Sequence, residues 1–284
     1  MIRLIAVLVL LAAPSVLHAQ AVDGTLMKIR DSKTVTIAYR TDALPFSYEG
    51  EGKQPAGYTV ELCKRIASSL ERQLKVQPLQ IKWVAATSQN RLELVQKRQA
   101  DMECGATTVS LSRMGEVDFS SYVFVDTTGV LVRNAVAAKS FKDLAGKRIA
   151  VVGNTTNQAA VDAAVKKLAV GATVVPVKNR DEAIAALAAG SIDAFASDKV
   201  LLLGLGAKMK DPSQYTLLPD DLSFEPYAIV LPRGDANFRL AVNRALAEIY
   251  RSNEIVEIFR RTFGADLEPT LPLVVMYGLG AFPN

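Results

Sequence analysis

Lys147-Arg148-Ile149-Ala150-Val151-Val152-Gly153-Asn154-Thr155-Thr156-Asn157 is the stretch on which the fold turns. Two basic residues lead into a short apolar run, the pattern of a strand buried on both faces. Gly153 and Asn154 supply a turn, and Thr155 and Thr156 are of the residue type that caps a helix. From Gln158 to Leu168 apolar residues recur at helical spacing. A strand then follows at Thr173 to Val177, a helix at Asp181 to Ala189, a strand at Ile192 to Ala196 and a helix at Lys199 to Leu205. Alternation of this kind builds an α/β unit, a mostly parallel sheet covered by helices.

The same alternation precedes this stretch. Thr34 to Tyr39 reads as a strand, and Tyr58 to Leu74 as a helix with Val60, Ile66, Ala67 and Leu70 on one face. Ile81 to Ala85 reads as a strand, Asn90 to Arg98 as a helix and Met102 to Gly105 as a short strand. Leu94–Gly105 and Leu187–Ser197 are alike, each running from a helix end through a polar turn to an Asp and an apolar strand, so the two units are expected to be built alike. Val123 to Arg133 and Tyr227 to Leu231 are extended runs that connect the units. Ala236 to Thr262 is helical with a break at Ser252-Asn253, and the apolar tail Leu271 to Pro283 is too interrupted by Pro272, Gly278 and Gly280 to span a bilayer. It is expected to pack on the body. The predicted arrangement is two lobes, one of residues 22–125 plus 227–284 and the other of 126–226, with two mostly parallel sheets joined by a two-strand hinge. The chain crosses near Val125 to Thr128 and again near Phe224 to Tyr227, so a cleft between the lobes is the expected ligand site.

Arg3 followed by the apolar run Leu4 to Ala13, then Pro14-Ser15 and Ala19-Gln20-Ala21, marks residues 1–21 as a secretory signal peptide. The mature chain is then expected in the periplasm. The formal net charge is +4 and the charges are mixed along the chain. No basic run or aromatic ladder points to nucleic acid. His18, the one histidine, lies in the leading segment, which removes Ser-His and Cys-His nucleophile pairs and most zinc sites. Neither a metal nor a cofactor is expected. Cys63 and Cys104 are the two cysteines. In an oxidising compartment either a disulfide or two buried small apolar side chains accounts for them.

Several polar residues sit where strands end. Gly153 to Asn157 places backbone N–H groups at a helix start, which favours an anion, although most such turns serve only as caps. Arg113, after Thr107 and Thr108, offers a planar fork for a carboxylate. Arg40 ends a strand. Arg91 opens a helix after Ser88, a place the helix dipole disfavours for a cation, so a function or a local ion pair is needed to explain it. Asp198 also opens a helix, where a capping role is the plainer reading.

Tyr39-Arg40 with Pro45-Phe46-Ser47-Tyr48, Gly57-Tyr58, Thr87-Ser88-Gln89-Asn90-Arg91, Glu103-Cys104-Gly105-Ala106-Thr107-Thr108, Arg113 with Asp118-Phe119-Ser120, Gly153 to Thr156, Asp198 and Glu225-Pro226-Tyr227 occur in this order. From Leu26 to Gly264 the chain resembles the polar amino-acid-binding family (family 3) of periplasmic solute-binding proteins, and more narrowly its glutamate/aspartate-binding members. The resemblance implies the two-lobed type II periplasmic binding protein fold. It assigns Arg113 to the ligand α-carboxylate, with Thr108 and the backbone at Thr155-Thr156. It assigns Asp198 to the α-ammonium, with carbonyl help near Ala106, and Arg40, Ser88 and Arg91 to a side-chain carboxylate. Tyr48 would line the pocket. Three Arg facing one Asp would balance two carboxylates and one ammonium, which favours an acidic amino acid. Ala106 stands where those relatives carry Ser, and Asn179 or Arg180 where they carry His. If Arg180 enters the cleft, the pocket becomes more cationic.

The function so implied is capture of glutamate or aspartate by a monomer that closes and presents its lobes to the permease subunits of an ABC importer. Two other classes compete. A cyclohexadienyl dehydratase-like enzyme on the same fold would bind a prephenate-like dianion and need no ammonium partner at Asp198. A receptor for a separate signalling partner would bind the same ligand.

Overall fold

The structure is a computed structural model that describes residues 22–206 and 209–283; the expected signal peptide, 1–21, lies outside the described residues. α1 (Gly24–Ser32), β1 (Thr34–Arg40), β2 (Asp42–Ala43), β3 (Ser47–Glu49) and β4 (Pro55–Ala56) come first. α2 (Tyr58–Leu74), β5 (Gln80–Ala86), α3 (Arg91–Gln96), β6 (Met102–Cys104) and α4 (Leu111–Met114) lead into the long β7 (Asp118–Arg133). The second unit is β8 (Arg148–Val152), α5 (Thr156–Lys167), β9 (Thr173–Val177), α6 (Arg180–Ala189), β10 (Ala194–Asp198), α7 (Lys199–Gly206) and β11 (Tyr215–Leu217). β12 (Phe224–Leu231), α8 (Ala236–Arg251), α9 (Glu254–Phe263) and α10 (Leu271–Gly280) complete the chain.

The strands run in the order β5-β1-β6-β12-β7-β10-β8-β9, with β11 on β7. β1 pairs in parallel with β5 and β6, and β8 in parallel with β9 and β10. β7 is 16 residues long and serves both groups. Its first part pairs antiparallel with β12, from Leu231↔Asp118 to Phe224↔Thr127, and its last part with β10, from Asp198↔Thr128 to Ala194↔Val132. The two mostly parallel sheets therefore meet through two adjacent strands. The crossing expected near Val125–Thr128 and Phe224–Tyr227 is the segment where Glu225 lies opposite Asp126.

Separate cores lie on the two sides. Ile37, Leu62, Ile66, Ile229, Val242 and Leu246 belong to one, and Val130, Ile149 and Val161, with Leu131, Leu187 and Phe195 beside them, to the other. Leu201 of α7 crosses over and packs in the first. α2 buries Val60, Cys63, Ile66, Ala67 and Leu70, the face its spacing predicts. Gly57 precedes it at φ +119, where an L side chain would also run into the Phe46 carbonyl. The long C-terminal helix breaks where expected, at Asn253 in the left-handed region. The tail packs on the body as α10, with Leu273 and Tyr277 buried and the Tyr277 hydroxyl 2.7 Å from that of Tyr58. Cys63 of α2 and Cys104 of β6 are bonded across a sequence separation of 41. A loop of that length removes about 4 kcal/mol of unfolded-chain entropy.

The structure also holds elements the pattern does not predict. α1 and the three-stranded sheet β2-β3-β4 are too short to show periodicity, and β7 begins five residues before the extended run does.

Candidate ligand cleft

The parallel strands of each unit end on the edge that faces the other unit, the usual place for a site in an open α/β sheet. Arg40 ends β1, opposite Ala86 of β5. Arg91 opens α3 just after β5, and Thr107 and Thr108 follow β6. From the second unit come Thr155 and Thr156 after β8, Arg180 after β9 and Asp198 at the end of β10.

On the first side, buried charge is concentrated. Arg40 is 1% exposed and Arg91 4%. Burial, reinforced by the neighbouring Arg40 and Arg113 guanidinium groups, lowers the Arg91 pKa to about 9. Its Nη1 donates to the Ser88 carbonyl at 2.5 Å, while Nε is buried with no partner. The Ser88 hydroxyl donates instead to Gln89 at 3.0 Å, at the mouth of a cavity of about 700 Å3. Glu103 is fully buried among these arginines, and Thr107 donates to its Oε2 at 2.9 Å. Burial raises the Glu103 pKa against the pull of Arg91, and its Oε1 has no partner. A Cβ on Gly105 would strike Glu103 Oε1 and lie 2.8 Å from Arg40 Cγ, so only glycine lets the two side chains share this space. Arg113 Nη1 donates to the Thr108 carbonyl at 2.6 Å.

The second side meets it directly. Asp198 does not cap α7; the N–H of Val200 donates to Asp126 at 3.1 Å. Asp198 instead accepts from Asn157 Nδ2 at 3.0 Å and lies 4.0 Å from Arg180. Burial, then the nearby Glu225 carboxylate, raises its pKa. Thr155 is the cap of α5; its hydroxyl accepts from the Gln158 N–H at 3.2 Å and donates to Val152 at 2.7 Å. Thr156 points across, and its hydroxyl donates to Glu225 at 2.7 Å. Thr108 donates to the same oxygen at 2.6 Å, and Thr128 and Ser223 donate to the other at 3.0 and 2.5 Å. Hydroxyls from both sides thus converge on one carboxylate of β12.

Arg40, Arg91, Thr108, Arg113, Thr156 and Asp198 lie in one cluster. Ser88 and Thr155 lie beside them with hydroxyls engaged locally, and Ala106 is buried against the first core. Two expectations are corrected. Tyr48 lines a different cavity, with Leu44, Pro45, Gly57, Glu61, Ile258 and Arg261. The count of three Arg against one Asp does not hold either. Arg180 does enter the cleft, 4% exposed, but Asp42 enters with it. With Glu103 and Glu225 the cluster sets Arg40, Arg91, Arg113 and Arg180 against Asp42, Glu103, Asp198 and Glu225. The pocket is not made more cationic, because the acids arrive from elements whose contacts the sequence does not announce. Glu225 and Glu103 lie within the quoted motifs, and their apolar surroundings in short strands were the available signal.

The model for bacterial extracellular solute-binding proteins, family 3, matches residues 35–265. The chain belongs to this family. A protein of Pseudomonas aeruginosa named L-glutamate/L-aspartate-binding protein is 33% identical over 261 residues, covering 92% of this chain and 86% of the relative. A glutamate/aspartate import solute-binding protein of Salmonella typhimurium is 30% identical over 251 residues, covering 88% and 83%. The solved structure of an ancestral amino acid-binding protein, described as a precursor of cyclohexadienyl dehydratase, matches with a TM-score of 0.72 at 24% identity, over 84% of this chain and all of that one. That likeness shows the type II periplasmic binding protein fold. Among the described residues no helix is long and apolar enough to cross a membrane.

Proposed function

We propose that this chain is an extracytoplasmic binding protein that captures glutamate or aspartate in the cleft and delivers it to an ABC importer from the periplasm, after cleavage of residues 1–21. Residues 22–125 and 227–284 form one lobe and 126–226 the other, turning about β7 and β12. The observation that carries the reading is the buried Arg91, with an unpartnered Nε beside Arg40 and Arg113, the last of which also feels the charge of Asp198. The two named relatives give the ligand class.

Arg113 takes the α-carboxylate in a charge-assisted pair, with the N–H groups at the start of α5 adding the positive end of a twelve-residue helix. The carboxylate competes with Glu225 for the Thr108 and Thr156 hydroxyls, which moves both lobes' contacts onto the ligand. Asp198 takes the ammonium, with Ala106 beside it. Arg91, with Ser88 and Arg40, takes the side-chain carboxylate. An anion at Asp198 has no use for a prephenate-like acid, so a binding protein is favoured over the dehydratase. Mass spectrometry of the small molecule released on denaturing purified protein tests this. Glutamate or aspartate is the expected species, and an acid without an α-ammonium group would overturn the assignment.

A further inference from the structure

Asp42 joins two arginines from opposite sides of the cleft. Its Oδ1 accepts from Arg40 Nε at 3.0 Å and Nη2 at 2.6 Å, and its Oδ2 from Arg180 Nη1 at 3.4 Å, across 138 residues of sequence. Both arginine side chains are buried, at 1% and 5% exposure, whereas Asp42 keeps 20% and lines the cavity at the cleft mouth with Ser88 and Lys178. We propose, resting on the reading of the cleft as an amino-acid site, that Asp42 is a resident counter-anion that fixes the ligand class, widening it from acidic side chains to their uncharged amides.

The physics follows from where the charge is compensated. A buried guanidinium group without a counter-charge is costly, and a site of bare arginines demands an anion from the ligand. Asp42 meets that demand for Arg40 with two bonds and part of it for Arg180 with one, while the buried Nε of Arg91, like that of Arg180, still lacks a partner. Burial would raise the Asp42 pKa, yet Arg40 and Arg180 overcome it and hold the carboxyl below its ordinary range, so the charge is present at neutral pH. A ligand amide then costs the site less than the arginine count suggests. The same carboxylate ties Arg180 to the opposite lobe and contributes to closure with any ligand.

Calorimetric titration of glutamate and glutamine into wild type, Asp42→Asn, Asp42→Ser and Arg180→Gln tests the proposal, with circular dichroism to establish that each variant is folded. Wild type should bind both ligands less than about a hundredfold apart. Either Asp42 variant should raise the preference for glutamate by about tenfold or more, and Arg180→Gln should lower it. A purely structural Asp42 would weaken both ligands equally. An unchanged ratio, or equal loss of both ligands in the folded Asp42 variants, overturns the proposal. Wild type that binds neither glutamate nor aspartate would instead sink the proposed function.

Discussion

Arg91 shows how far single residues could be read. Its position, a cation opening a short helix, was an electrostatic mismatch visible in the sequence, and the structure resolves it with a bond back to the Ser88 carbonyl and a buried, unpartnered Nε. Arg113, Thr108 and Asp198 were singled out by the family resemblance, since position alone left a surface or capping role the plainer reading for Arg113 and Asp198. Asp42 was not singled out, and the contacts of Arg180 and Glu225, which the sequence did bring up, were not legible, because those partners lie 138, 117 and 69 residues away and no local pattern encodes them. Arg91→Ala should cut glutamate affinity by about tenfold to a hundredfold while glutamine loses much less, since only glutamate brings a charge to that guanidinium group. Competition of the two ligands in equilibrium dialysis reads the ratio directly. Parallel losses would place the side-chain carboxylate elsewhere.

At the scale of elements, long periodic segments were read closely. Tyr58–Leu74 and Thr173–Val177 have the bounds that spacing and β-branching indicate, whereas α1 and the β2-β3-β4 sheet take their form from tertiary contact. The paired strands β7 and β12 carry a chemical feature besides connection: Asp126 lies opposite Glu225 and near Asp198. Burial, then the Asp198 charge, pushes the Asp126 pKa from 3.8 to about 7. The folded state therefore holds this proton more tightly than the unfolded chain. The stabilisation is complete below the ordinary carboxylate range and is lost as pH rises through about 7. Asp198, also raised, acts in the same direction. Ligand-free protein should thus lose on the order of 2 kcal/mol between pH ~5.5 and ~8, a fall of several degrees in the thermal midpoint. Asp126→Asn keeps the acceptor for Val200 N–H and removes the titration, so scanning calorimetry should show a flatter profile over that range. A slope equal to that of wild type would mean that Asp126 is ionised in the fold throughout.

For the whole molecule, two α/β units meet through β7 and β12, and the residues proposed to bind are divided between them. Arg40, Arg91, Thr108 and Arg113 come from one side and Thr156, Arg180 and Asp198 from the other, so the proposed site needs both. The fold was legible because strand–helix alternation restarts at Lys147. The balance of charge was not, because it is settled only when the lobes meet. Every amino acid carries an α-carboxylate, and Arg113 is the residue assigned to it. The measurement that bears most directly on the proposed function is a calorimetric titration of glutamate and aspartate into wild type and Arg113→Ala, each first stripped of co-purified ligand. The expected result is one ligand per chain in wild type and a loss of about 2–5 kcal/mol in the variant, enough to abolish detectable binding. No binding of either amino acid to wild type, or an Arg113→Ala variant within a few-fold of it, would contradict the cleft as the site of capture.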